Sequence, residues 1–226
     1  NGFHKVNWNL KNKSNRSIHL RHLCNEKTYP GKIEIDLIYT LNENNSFDIE
    51  FIAYSDKDTI FNPTSHSYFN LGSDKTIFNH ELQINSDKIL EIDKNGIPTE
   101  NFLEIKDGPF DFKNFKSIGK DIRKNDIQLE FGSGYDHNFI LNSDEKFAAT
   151  IMDRNSGRRL KIKTDQPGMQ FYTGNSLGEN FIKNGGVCME TQHYPNTPNC
   201  DIFPSVILLK NQKYYTKTTY HFDTIE

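Results

Sequence analysis

The chain has 226 residues, with 27 Lys and Arg against 30 Asp and Glu, 35% hydrophobic residues and 12% aromatic ones. Its formal net charge is −3 and the charges are interspersed, which excludes the basic stripe of a nucleic-acid or anionic-membrane partner. No apolar run approaches the roughly 20 residues of a membrane span.

The apolar residues, many of them Phe, Tyr and Ile, suffice for the core of one domain over residues 1–226. The opening segment NGFHKVNWNL lacks the apolar centre of a signal peptide. Cys24, Cys188 and Cys200 form no CxxC pair, and their odd number speaks against a disulfide framework. A reducing cytoplasm is the expected location.

Alanine, the best helix former, occurs only at Ala53, Ala148 and Ala149. Along the chain the dominant pattern has period two. In KIEIDLIYTL, Ile33, Ile35, Leu37 and Tyr39 share one face; in SFDIEFIAY, Phe47, Ile49, Phe51 and Ala53 do the same. Such alternation, bounded by Asn-rich turns, predicts half-buried antiparallel strands. FKNFKSIGKDIRK, Phe112 to Lys124, is the best candidate for a short helix. KFAATIMDRNSGRRLKIKT predicts a hairpin that turns at Asn155-Ser156-Gly157. Pro and Gly punctuate the chain at YPGK, NGIP, DGPF and QPGMQ. The expected fold class is all-β, with little helix.

Four islands concentrate groups that hydrogen-bond a polyol: NPTSHSYFNL, GYDHNFIL, TDQPGMQFYTGN and ETQHYPNTPN. Together they supply His66, Asp136, His137, Gln170 and Glu190, flanked by Tyr68, Phe69, Tyr135, Phe171 and Tyr172. Carboxylates and amides grip hydroxyls, and aromatic faces cover the C–H face of a sugar. No Gly-rich cradle or Arg cluster is present for phosphate, which disfavours a phosphorylated hexose. The residues taken singly also permit plainer roles. His66 would be a structural histidine, Glu190 a strand-face charge, Asp136 a turn cap, and Gln170 a partner for backbone groups. His137 would pack against or orient Asp136. Cys188, two residues before Glu190 on a predicted strand, would face the same side as a small core residue.

In this order and spacing the islands resemble the galactose mutarotases, or aldose 1-epimerases. GIPTENF, GPFDFKNFKSIGKDI, the SGR turn and the ending NCDIFPSVILLKNQKYYTKTTYHF extend the resemblance over nearly the whole chain. It implies a large antiparallel β-sandwich that interconverts the α and β anomers of a hexose such as galactose or glucose. His66 matches the family's general acid, Glu190 its general base, and Asp136 and Gln170 its sugar-hydroxyl ligands. The implied partner is a small aldohexose, with no metal and no cofactor. Neither the preferred aldose nor the oligomeric state is written in these residues.

Family members also carry an Arg and then L-H-G-G before the segment that GFHKVNW resembles. This chain begins at Asn1, so the expectation is a sandwich N-terminally incomplete relative to the family, folding poorly and turning over weakly on its own. The alternative reading is a non-catalytic carbohydrate-binding domain or an inactive mutarotase fragment.

Overall fold

In the computed structural model, residues 2–25, 29–143 and 146–225 are described. The all-β expectation holds. Among the described residues there are seventeen antiparallel strands, three 3₁₀ turns and one α-helix of five residues. No helix among them is long and apolar enough to cross a membrane.

Contacts gather the chain into two compact units. The first comprises residues 1–63 and 206–221. Its strands Asn9–Lys13, Ser17–Cys24, Ile33–Leu41 and Ser46–Ser55 run as an antiparallel meander. Residues 214–221 then pair along Ser46–Ser55, from Tyr214 opposite Ala53 to His221 opposite Ser46. The alternation foreseen in the sequence decides what is buried: Ile33, Ile35 and Ala53 join Cys24, Phe61 and Leu208 in one cluster, with Trp8 and Tyr214 packed on it.

The second unit comprises residues 64–205 and 222–226. One group of its strands runs in the order Arg158–Thr164, Ala149–Asp153, Glu81–Ile84, Lys116–Ser117. The predicted hairpin is present, with Gly157 at φ +73° closing its turn. A six-stranded sheet follows the order Tyr68–Phe69, Val187–Gln192, Gly168–Tyr172, Asp136–Leu141, Ser86–Ile92, Pro98–Glu104. Aromatic rings fill the core behind it: Phe112 meets Tyr135, Phe139 and Phe171 edge-on at 5.3–6.3 Å. Such edge-to-face pairs add to the burial energy.

The helix expected over Phe112–Lys124 is not there. That stretch forms the short strand Lys116–Ser117 and a single 3₁₀ turn, Ile118–Lys120. Gly119 lies so close to Phe78 that an added Cβ would stand 2.7 Å from the Phe78 Cβ, and its N–H donates to the Phe78 carbonyl. Phe112 is drawn fully into the core. Tertiary contacts thus override a weak local preference. The α-helix is Ile127–Phe131, where Asp126 caps the N-terminus by accepting from the backbone of Gln128 and Leu129.

Candidate active site

The six-stranded sheet explains how residues from separate islands come together. Antiparallel register places Asp136 opposite Tyr172, Tyr172 opposite Cys188, and Cys188 opposite Tyr68. Directly paired residues share a face, so these four form one row. Two residues along, Asn138, Gln170 and Glu190 form the next row on the same face. The intervening positions His137, Phe171 and Met189 point to the other side and are buried.

His66 is brought to this face by the segment on either side of it. The Thr64 hydroxyl donates to the Thr191 carbonyl at 3.0 Å, and Tyr68–Phe69 pairs with Val187–Cys188. The imidazole is thereby held between two anchors. Its Nε2 lies 3.6 Å from Glu190 Oε1, and its Nδ1 lies 3.3 Å from Cys188 Sγ. The ring packs against Tyr68 at 5.0 Å and edge-on to Tyr172 at 6.0 Å between centroids.

Burial sets the electrostatics. The Glu190 side chain is only 11% exposed, while that of His66 is 53% exposed. Loss of solvent pushes the Glu190 carboxyl up to about 7; the His66 imidazole opposes the rise and the Asp136 carboxylate adds to it. Asp136 is also raised by burial, against the hydrogen bond from Gln170 and the nearby His66. Gln170 Nε2 donates to Asp136 Oδ1 at 2.7 Å, and Gln170 Oε1 is buried with no protein partner.

His66, Tyr68, Asp136, Tyr172 and Glu190 line a cavity of about 430 Å³, within the size range of small-molecule sites. Lys94, Asn95 and Gly96 contribute a further wall, from a turn in which Asp93 accepts from the backbone of Asn95 and Ile97. The Gln128 side chain clasps the end of the strand before that turn, bonding both the N–H and the carbonyl of Ile92. Another wall comes from Gly132, Ser133 and Asn175. Gly134 follows it at φ +130°, where a Cβ would meet Asn175 Oδ1 at 2.7 Å, so glycine is required on both counts.

Three of the four residues singled out in the sequence, His66, Asp136 and Glu190, therefore meet on one cavity. The fourth, Gln170, touches Asp136. His137 does not reach the cavity. It is fully buried, meets Phe110 at 4.6 Å, accepts from the Asp136 N–H through Nδ1, and has its pKa depressed to about 3 by burial. Cys188 shares the face of Glu190, as its spacing implied, but it touches His66. Lys94 and Asn95 were not foreseen as parts of the site, and Asn175, although it ends the island TDQPGMQFYTGN, was not singled out there.

His66, Cys188 and Glu190 also bring three metal-ligating atoms within 4.8 Å of one another. They already face each other, thiol to Nδ1 and carboxylate to Nε2.

The profile of the family described as aldose 1-epimerase matches residues 1–221. The chain belongs to the aldose 1-epimerase family. Among curated relatives, the galactose mutarotase of Sus scrofa is 34% identical over 98% of this chain and 67% of its own length. The aldose 1-epimerase of Escherichia coli K12 is 31% identical over 98% of this chain and 68% of its own. Among solved structures, the GalM/aldose epimerase homologue from C. elegans superposes with a TM-score of 0.89 at 26% identity, covering 97% of this chain and 69% of that one. Galactose 1-epimerase from Lactobacillus acidophilus NCFM gives 0.87 at 29% identity, covering 97% and 67%. The fold of this aldose 1-epimerase family member is thus the large antiparallel β-sandwich of these structures, and the chain spans about two thirds of their length.

Proposed function

We propose that the chain interconverts the α and β anomers of an aldohexose, such as galactose or glucose, in the cytoplasm. The observation that carries this reading is the pairing of a buried carboxyl, Glu190, with the open imidazole of His66 on one cavity. Anomerisation needs a proton removed from the C1 hydroxyl and another delivered to the ring oxygen. Glu190 is the base and His66 the acid. The bond between C1 and the ring oxygen breaks, leaving a carbonyl at C1. Rotation about C1–C2 turns the other carbonyl face to the hydroxyl, and closure with the proton transfers reversed gives the other anomer. A base with its pKa near 7 combines a large ionised fraction with useful basicity at neutral pH.

Asp136 and Gln170 hold sugar hydroxyls; the unpartnered Gln170 Oε1 is an acceptor that a hydroxyl would satisfy. Tyr68 and Tyr172 supply an aromatic wall beside the ring. Every proton in this scheme moves between sugar and side chain, so no metal or cofactor takes part. The free, buried state of Cys24, Cys188 and Cys200 accords with a reducing compartment. The test is polarimetry on freshly dissolved α-galactose with protein made from its complete coding region. Decay of rotation well above the spontaneous rate supports the proposal; sugar binding without faster decay refutes it.

A further inference from the structure

We propose that Cys188 is a positioning residue of this site, its thiol donating to His66 Nδ1 and so fixing the ring proton on Nε2. The inference rests on the reading of His66 as the acid. A neutral imidazole carries one donor nitrogen and one acceptor, and the partner of one decides the role of the other. Here the partner of Nδ1 is Cys188 Sγ at 3.3 Å, and Nε2 is the nitrogen nearest Glu190.

The direction of the sulfur bond follows from its surroundings. Cys188 is fully buried, and burial together with the Glu190 carboxylate raises its pKa far above the ordinary thiol range. The sulfur therefore keeps its proton. Neutral sulfur is a weak acceptor, so a ring N–H directed at it would gain little. The S–H is left to point at Nδ1. The result is a Cys188 S–H to His66 Nδ1 hydrogen bond, with the mobile proton on Nε2. The sheet builds this arrangement: Tyr68 stands opposite Cys188 in register, and Cys188 precedes Glu190 by two residues on the same face. Titratable groups facing the imidazole are Tyr68, Tyr172, Cys188, Glu190 and Asp136, and of these the thiol is the one within hydrogen-bonding distance of Nδ1.

The first measurement needs no variant: long-range ¹H–¹⁵N correlation of the histidine rings in the intact protein. The expected result is His66 as the Nε2–H tautomer when neutral; an Nδ1–H tautomer overturns the proposal. In Cys188→Ala, the tautomers should mix and kcat should fall roughly 3- to 10-fold with KM nearly unchanged, the scale of one lost neutral hydrogen bond. Cys188→Ser keeps a donor and should recover most of that kcat. A folded Ala variant with parental tautomer and parental kcat overturns the inference while leaving the epimerase reading intact. A parent that does not accelerate mutarotation refutes that reading instead, and with it the role for Cys188, even if the tautomer is as expected.

Discussion

Gln170 donates to Asp136 across two adjacent strands at 2.7 Å while standing directly opposite Glu190 in the ladder. The amide and the carboxylate therefore act as one unit beside the proposed base. Replacing either residue, as Asp136→Asn or Gln170→Ala, should raise KM for the sugar by roughly 10- to 100-fold, the scale of one hydrogen bond to a charged group. The double variant should cost less than the product of the single effects, because Asp136→Asn already weakens the shared bond and Gln170→Ala removes it. Progress curves at varied sugar concentration check this. Unchanged KM in both single variants would remove the pair from sugar binding.

The raised pKa of Glu190 sets the pH dependence. A general base works only when ionised, so kcat/KM should climb as pH rises through about 7. The Asp136 carboxylate contributes to that elevation. Asp136→Asn removes its charge and should move the rising limb to lower pH, whatever it does to affinity. A limb that stays in place, or moves upward, would contradict this account of the local field.

The same carboxyl should cost stability. Its folded pKa of about 7 lies above the ordinary glutamate value of 4.5, so between those pH values the native state holds the extra proton and stability falls as pH rises. Above about 7 the full cost of a buried charge is in place. Glu190→Gln should then melt higher than the parent near pH 8, by roughly 3 kcal/mol or about 6–12 °C, with the gain gone near pH 4. Paired thermal melts at the two pH values test it, and a variant less stable than the parent at the higher pH would contradict it.

Metal removal should have no effect on turnover. The thiol, imidazole and carboxylate of Cys188, His66 and Glu190 converge, but the proton transfers proposed for them require no Lewis acid. Overnight chelation should leave both the rate and the melting temperature unchanged. Loss of activity that returns with added zinc would overturn that assignment.

Much of this fold was legible because burial follows strand alternation. The period-two alternation alone places Ile33, Ile35 and Ala53 on a core face, and Asn155-Ser156-Gly157 marks the hairpin turn by residue type. The helix was misplaced because Phe112–Lys124 answers to distant partners such as Phe78, whereas the true helix is a single capped turn too short to show a period. At the site, residue types marked His66, Asp136, Gln170 and Glu190, but not their order across the sheet. The contact between Cys188 and His66 depends on Tyr68 pairing with Cys188, a register that no local pattern encodes. The Lys94–Gly96 wall was hidden for a related reason: Gln128, far along the chain, holds the strand end from which it springs.

The most direct test of the central claim is the decay of optical rotation of fresh α-galactose with the parent protein and with Glu190→Gln at matched concentration. If Glu190 is the base, the variant should still bind sugar while its turnover falls about 10²–10⁴-fold. Turnover of the variant within a few-fold of the parent would contradict the account.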